Sequence, residues 1–209
     1  MSRKASALLP VLHGLRVKGL ADPAGLALFT GLPVCDVSDL LETLSAAGTV
    51  VHRDGMISGW RLTEVGRAEH AAALVAEGQD SRTVAQLRLA FERFPALDQA
   101  VKAICTEWQM RDLEAGLVND HSDATYDAAV VARLRRVHDA VLGVVTELEA
   151  ANARFGPYGT RLDAACARVS AGNPDALTKP LTGSYHDVWM ELHEDLLLTL
   201  GLDREDERP

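Results

Sequence analysis

The chain has 209 residues, 47% apolar and 24% charged, with three cysteines and a net charge of −9. That composition excludes a disordered chain, a collagen-like repeat and a disulfide-stapled miniprotein, and it suits one domain or two small ones. No apolar run approaches the roughly 18 residues that span a bilayer. Ser2-Arg3-Lys4 before Leu8-Leu9 resembles the start of a signal peptide, but Pro10, His13, Arg16 and Lys18 interrupt the run and no cleavage site follows. The expected location is therefore cytoplasmic. Residues 1–74 carry seven Lys/Arg and seven Asp/Glu, whereas 75–209 carry fourteen and twenty-three. An acidic body repels nucleic acid, so any DNA contact falls to the neutral N-terminal part. Cys35, Cys105 and Cys166 form no CxxC pair and read as reduced, small core residues.

Along the chain, Leu8, Leu9, Leu12 and Leu15 recur at helical spacing up to Gly19. Asp22-Pro23 reads as an N-cap followed by proline at the first helical position, opening a short helix to about Thr30. A turn at Gly31-Leu32-Pro33 leads to a second helix, with Val37, Leu40, Leu41 and Leu44 on one face and Gly48 as its cap. The period then changes. Residues 49–53 predict a strand, Asp54-Gly55 a hairpin turn, and Met56 to Leu62 the returning strand. Thr63 caps a further helix to about Glu77, and residues 78–81 read as a linker.

Beyond the linker the pattern is helical throughout. Val84, Leu87, Phe91 and Phe94 share a stripe, continued past Pro95 by Leu97, Val101, Ile104, Cys105 and Trp108. A long helix is predicted from about Asp123 to Asn152, its stripe made of Tyr126, Val130, Leu134, Val137, Val141, Val144 and Leu148. Gly156-Pro157 breaks the chain, and a helix runs from about Tyr158 to Ser170. The last helix starts near Ser184, with Asp187 completing a cap, and ends at Gly201. Its stripe is Trp189, Leu192, Leu196 and Leu200, and Asp187, Glu191, Glu194 and Asp195 read as its solvated side. The expected fold is thus mainly α. An N-terminal winged helix-turn-helix with a two-stranded wing occupies 1–78, a C-terminal helical bundle 81–202, and a frayed tail 203–209.

The stretch from Leu40 through Gly66, LLETLSAAGTVVHRDGMISGWRLTEVG, resembles the recognition helix and wing of MarR- and PadR-type transcription regulators. The matching parts are Ala46-Ala47-Gly48, Asp54-Gly55 and Leu62-Thr63-Glu64-Val65-Gly66. The resemblance covers about the first 75 residues and implies a DNA-binding winged helix, although winged helices also dock proteins. Segments including Trp108–Asp112, Asn119–His121, Tyr126–Ala129 and Glu191–Leu196 are similar to a C-terminal extension on some actinobacterial phosphoenolpyruvate-utilising proteins related to pyruvate, phosphate dikinase. That similarity implies a shared accessory module and not kinase chemistry, because no phosphate-binding or catalytic-histidine motif of that class is present.

The expected DNA-contacting residues are Lys18, Ser38 and Thr43, with His52, Arg53 and Arg61 on the wing. The outward face of the recognition helix, Asp36, Ser38, Asp39, Glu42, Thr43 and Ala46, holds three carboxylates and no cation. DNA affinity comes largely from cations on phosphates, so this face weighs toward a protein-docking role. In the bundle, Trp108, Arg111, His121, Asp127, His138, His186 and His193 are candidates for a ligand site. Three readings stand for them: a small anionic effector, a divalent metal, or buried polar residues that buttress the bundle. His186 and His193 lie roughly 10 Å apart along a helix, too far for one ion, and no HxxxH or ExxH pair occurs, so no metal or cofactor is expected. No GxSxG, P-loop, βαβ GxGxxG or HExxH motif occurs, and no enzyme is expected. The leading expectation is a cytoplasmic, homodimeric transcriptional regulator of double-stranded DNA with a helical dimerisation or ligand-sensing domain. The alternative is a non-catalytic interaction module linked to a phosphoenolpyruvate-utilising enzyme.

Overall fold

The computed structural model describes residues 3–55, 57–78 and 80–202, with side chains from residue 7 onward. The expected tail 203–209, Ser2, the expected strand start at Met56 and Gln79 of the linker lie outside the described residues, as do the side chains of Arg3 and Lys4. The chain is mainly α-helical, and its contacts divide into two compact units, Met1–Gln79 and Asp80–Pro209. Among the described residues no single helix is long and apolar enough to cross a membrane.

The first unit has three helices, a hairpin and a fourth helix. They are α1 (Arg3–Lys18), α2 (Pro23–Thr30), α3 (Val34–Ala46), β1 (Val50–Arg53), β2 (Gly59–Leu62) and α4 (Glu64–Glu77). Local chemistry sets several boundaries. Asp22 accepts from the Gly25 N–H at 2.7 Å, and Pro23, whose missing N–H costs nothing in the first turn, opens α2. α1 runs through Pro10 because its buried face, Val11, Leu12 and Leu15, packs on Leu26, Val37 and Leu41. Burial of that many aliphatic side chains outweighs the roughly 3 kcal/mol cost of an interior proline.

The hairpin differs from the expected two-residue turn. Val50 faces Leu62 and Arg53 faces Gly59, so the connection spans 54–58 and the returning strand begins at Gly59. The register is anchored on the other edge of β2. The Trp60 N–H donates to the Ala21 carbonyl at 2.8 Å, and the Ala21 N–H returns a bond at 3.0 Å. Pairing on both edges of buried Trp60 overrides the local turn signal at Asp54-Gly55.

The second unit contains α5 (Ser81–Phe91), α6 (Phe94–Gln109), β3 (Met110–Asp112), β4 (Leu117–Val118), α7 (Ala124–Ala151), α8 (Gly156–Ser170), α9 (Asp175–Thr178) and α10 (Tyr185–Leu200). A 3-10 turn at Ala153–Phe155 joins α7 to α8. The hairpin β3–β4 and the short α9 interrupt what reads in sequence as continuous helix and loop. Pro157 lies in the first turn of α8 and starts the helix instead of breaking the chain. Ser184 and Asp187 form a reciprocal capping box at the start of α10. Trp189 of α10 stacks on Phe94 with centroids 4.4 Å apart, and its indole N–H donates to Asp98 at 2.9 Å.

Three sequence expectations are corrected by burial. On α7, His138 takes the buried place expected of Val137, being four residues from Leu134 and three from Val141. On α10, Asp195 is fully buried, and Glu191 pairs with Arg161 at 2.5 Å instead of facing solvent. Asp195 lies three residues after Leu192 and Glu191 three after Val188, so the helical angle carries both inward and their partners compensate. Cys35, expected in the core, is exposed at the start of α3, whereas Cys105 and Cys166 are buried.

Candidate functional site

Two regions carry the functional candidates, one in each unit. In the first unit, α3 presents Asp39, Glu42, Thr43 and Ala46 to solvent and carries no Lys or Arg. The Thr43 hydroxyl donates to the Asp39 carbonyl at 2.8 Å, and the half-buried Ser38 donates to Val34 at 3.0 Å. Both hydroxyls are thus turned onto their own helix. Lys18 ends α1 with Nζ 5.9 Å from the Phe29 ring centroid.

The hairpin carries two arginines. Val51 faces Arg61 across the ladder, and Arg53 lies two residues from Val51, so both arginines project from one face. Both are exposed, beside a Val51 that is 39% accessible. His52 points to the opposite face, packing edge-on to Trp60 at 5.0 Å and lying 3.2 Å from the Asp54 carboxylate. Sequence reading passed over a further pair here. His13 of α1 and His70 of α4 are both buried, with Nδ1 and Nε2 2.9 Å apart, so one ring donates and the other accepts. Their only signal is that each occupies an inward position of its helix.

In the second unit, a cavity of about 580 Å³ opens where the end of α6, the β3–β4 hairpin and α9 meet. Trp108 is 5% exposed and forms part of its wall, its indole N–H held by the Pro174 carbonyl at 3.1 Å. Asn119, 4% exposed, locks the hairpin to α6 and α7. Its backbone N–H donates to Gln109 at 2.9 Å, and its side-chain amide donates to the Trp108 carbonyl at 3.0 Å and to Asp127 at 2.9 Å.

His121 lies against Trp108, with ring centroids 4.5 Å apart. Its Nδ1 is 2.9 Å from the second oxygen of Asp127. A carboxylate accepts only, so Nδ1 carries the proton that points to Asp127. No hydrogen bond to Nε2 occurs among the described residues. The His121 backbone has φ +60°, in the left-handed region that costs a non-glycine residue on the order of 1 kcal/mol or more. The Asn119 and Asp127 bonds hold it there.

The seven expected ligand-site residues divide among separate places. Trp108 and His121 line the cavity, and Asp127 holds His121. Arg111, on β3, turns to Asp123 at 2.8 Å and stacks over Tyr126 at 4.6 Å, so an anion held by Arg111 would have to displace Asp123. His138 bonds the Tyr185 hydroxyl at 3.2 Å and Asp163 at 2.9 Å. His193 packs on Phe94 at 4.8 Å and lies 4.0 Å from Asp98, and His186 is half-buried on α10. Among the described residues these last three line no part of the cavity. Asn119 and Lys179 were missed. Asn119 sits two residues from His121, which was a usable signal. Lys179 reaches the cavity from just beyond α9, a contact across some 60 residues that no local pattern announces.

Among the described residues no group of three or more His, Cys, Asp or Glu is placed to hold a metal ion. No protein-family model, curated protein or solved structure matches the chain.

Proposed function

We propose that the protein is a DNA-binding transcriptional regulator. Its first unit is a winged helix-turn-helix that contacts double-stranded DNA chiefly through the wing, and its helical unit serves dimerisation and effector sensing. The order of three helices, a hairpin and a fourth helix supports the winged-helix reading, together with the resemblance of residues 40–66 to MarR- and PadR-type regulators. The observation that carries the DNA contact is the shared, exposed face of Arg53 and Arg61. Two cations on one face of a ribbon suit phosphates or the minor groove. Effector binding in the helical unit would shift the spacing of two wings in a homodimer, and with it the fit to two half-sites.

The deciding experiment is binding to the protein's own upstream DNA and to random duplex at several salt concentrations. Specific binding that weakens steeply with salt supports the reading. Arg53→Ala with Arg61→Ala is expected to reduce the slope of log K against log salt by about 2. Unchanged affinity in that variant would remove the wing from the interface.

A second reading rests on α3, whose exposed face carries Asp39 and Glu42 and no cation. Such a face favours a protein partner, in the manner of an accessory module on a phosphoenolpyruvate-utilising enzyme. Absence of DNA binding even at low salt would favour it, and a pull-down would then look for that partner.

A further inference from the structure

We infer that the α6–hairpin–α9 cavity binds a small organic acid with a flat apolar body and a hydroxyl. The inference deepens the effector-sensing part of the reading above and does not depend on DNA contact.

The apolar body follows from the walls. Trp108, Met110, Val118, Pro174 and Pro180 line the cavity, so carbon surface placed there is removed from water. The volume, about 580 Å³, lies within the range of small-molecule sites. The walls are already rigid: the Trp108 indole N–H is committed to Pro174, and Asn119 spends its amide on Trp108 and Asp127. A ligand therefore meets a formed surface and not a loop that must first be ordered.

The acid follows from Lys179, which is the one Lys or Arg among the lining residues. Its ammonium pairs with Asp175 one helical turn away at 2.5 Å, and both side chains are more than half exposed, at 53% and 57%. An exposed pair of this kind holds its partner weakly. Lys179 can exchange Asp175, which lines the same cavity, for a ligand carboxylate at little cost.

The hydroxyl follows from His121. Nδ1–H donates to Asp127, which leaves Nε2 to pair with a ligand hydroxyl, a group that can both donate and accept. The left-handed backbone that holds His121 against Trp108 is maintained by bonds from Asn119 and Asp127, an investment out of proportion to a solvent-facing ring.

The test uses the full chain without DNA and three fluorescent probes: 6-hydroxy-2-naphthoate, 2-naphthoate and 2-naphthol. The first carries both polar ends, and each of the others lacks one. The expected order of affinity places 6-hydroxy-2-naphthoate first, with Kd on the order of 0.1 mM. Lys179→Met is expected to weaken both carboxylates about tenfold and to leave 2-naphthol unchanged. His121→Asn keeps a residue that tolerates positive φ. It is expected to weaken the two hydroxylated probes about fivefold and to leave 2-naphthoate unchanged. Circular dichroism verifies that both variants fold. Failure of 6-hydroxy-2-naphthoate to bind at millimolar concentration, or an affinity unchanged in either variant, overturns the inference. Because no DNA is present, that failure is separate from failure of the regulator reading, which the salt-dependent DNA titration decides.

Discussion

The Cβ atom that Gly66 lacks would stand 2.1 Å from the Thr49 carbonyl oxygen, inside any non-bonded contact distance. The same carbonyl accepts from the Thr63 hydroxyl at 3.0 Å, and that hydroxyl in turn accepts from the Gly66 N–H at 3.1 Å. Thr63 thus caps α4 while tying its first turn to the segment that links α3 and β1. The Leu62-Thr63-Glu64-Val65-Gly66 motif has a packing reason: Thr63 supplies the tie and Gly66 the clearance.

Gly66→Ala is therefore expected to destabilise the first unit by about 3 kcal/mol, because the obstructing atom is backbone and cannot swing away. Gly143, inside α7, offers the contrast, since a Cβ there meets nothing within 4 Å. Gly143→Ala is expected to stabilise by about 0.5–1 kcal/mol through helix propensity alone. Thermal unfolding of the two variants should shift in opposite directions.

How much of this was legible depends on how local the cause is. The Asp22-Pro23 start of α2 and the Ser184–Asp187 box of α10 are short-range chemistry, and both were readable from adjacent residues. The β3–β4 hairpin was not. Its strands are three and two residues long, with exposed Leu117 and Val118 and no alternation to read. Asp195 was misread for another reason. Its helical angle points inward, but its polarity argued outward, and only its distant partners Tyr158 and Arg154 reconcile the two. The cavity follows the same rule. His121 and Asp127 are six residues apart and were both named, whereas Lys179 enters through a fold contact alone.

The cysteines give a direct readout of burial. Desolvation pushes the Cys105 thiol up to about 12 and raises that of Cys166, which depletes the reactive thiolate of both. Cys35 is exposed. Ellman's reagent at about pH 8 is expected to titrate one thiol in the native protein and all three in urea. Rapid reaction of a second thiol in the native state would contradict the packing around α6 and α8.

Asp123 predicts an acid limb of the stability curve. It accepts from the Tyr126 N–H, from Arg111 and from the Thr125 N–H, and these bonds hold its carboxyl below the ordinary 3.8. Asp80 and Asp120 are lowered in the same direction by Thr83 and Ser122. A group depressed on folding stabilises fully above its unfolded value, and that contribution is lost as pH falls through the folded value. Stability should therefore fall below about pH 4. Asp123→Asn should start lower and lose less on acidification. Parallel pH curves for the two proteins would rule out Asp123 as a contributor.

Asp195 is the sharpest test of the α10 packing. It is fully buried, accepts from the Tyr158 hydroxyl at 2.9 Å and from Thr199 at 3.2 Å, and lies 3.4 Å from Arg154. Burial first, and then the Asp195 charge, raises the Tyr158 pKa, so the phenol keeps its proton and remains the donor. Removing the acid leaves the Arg154 guanidinium, 19% exposed, without that counter-charge. Asp195→Ala is expected to cost about 3–5 kcal/mol, the range for breaking a buried pair from one side. Tyr158→Phe removes one donor and leaves the charge pair intact, so it is expected to cost about 1–2 kcal/mol. Urea unfolding should order the three proteins as wild type, Tyr158→Phe, Asp195→Ala. Were Asp195→Ala as stable as wild type, Asp195 would have to face water, which is the orientation that the sequence alone suggested.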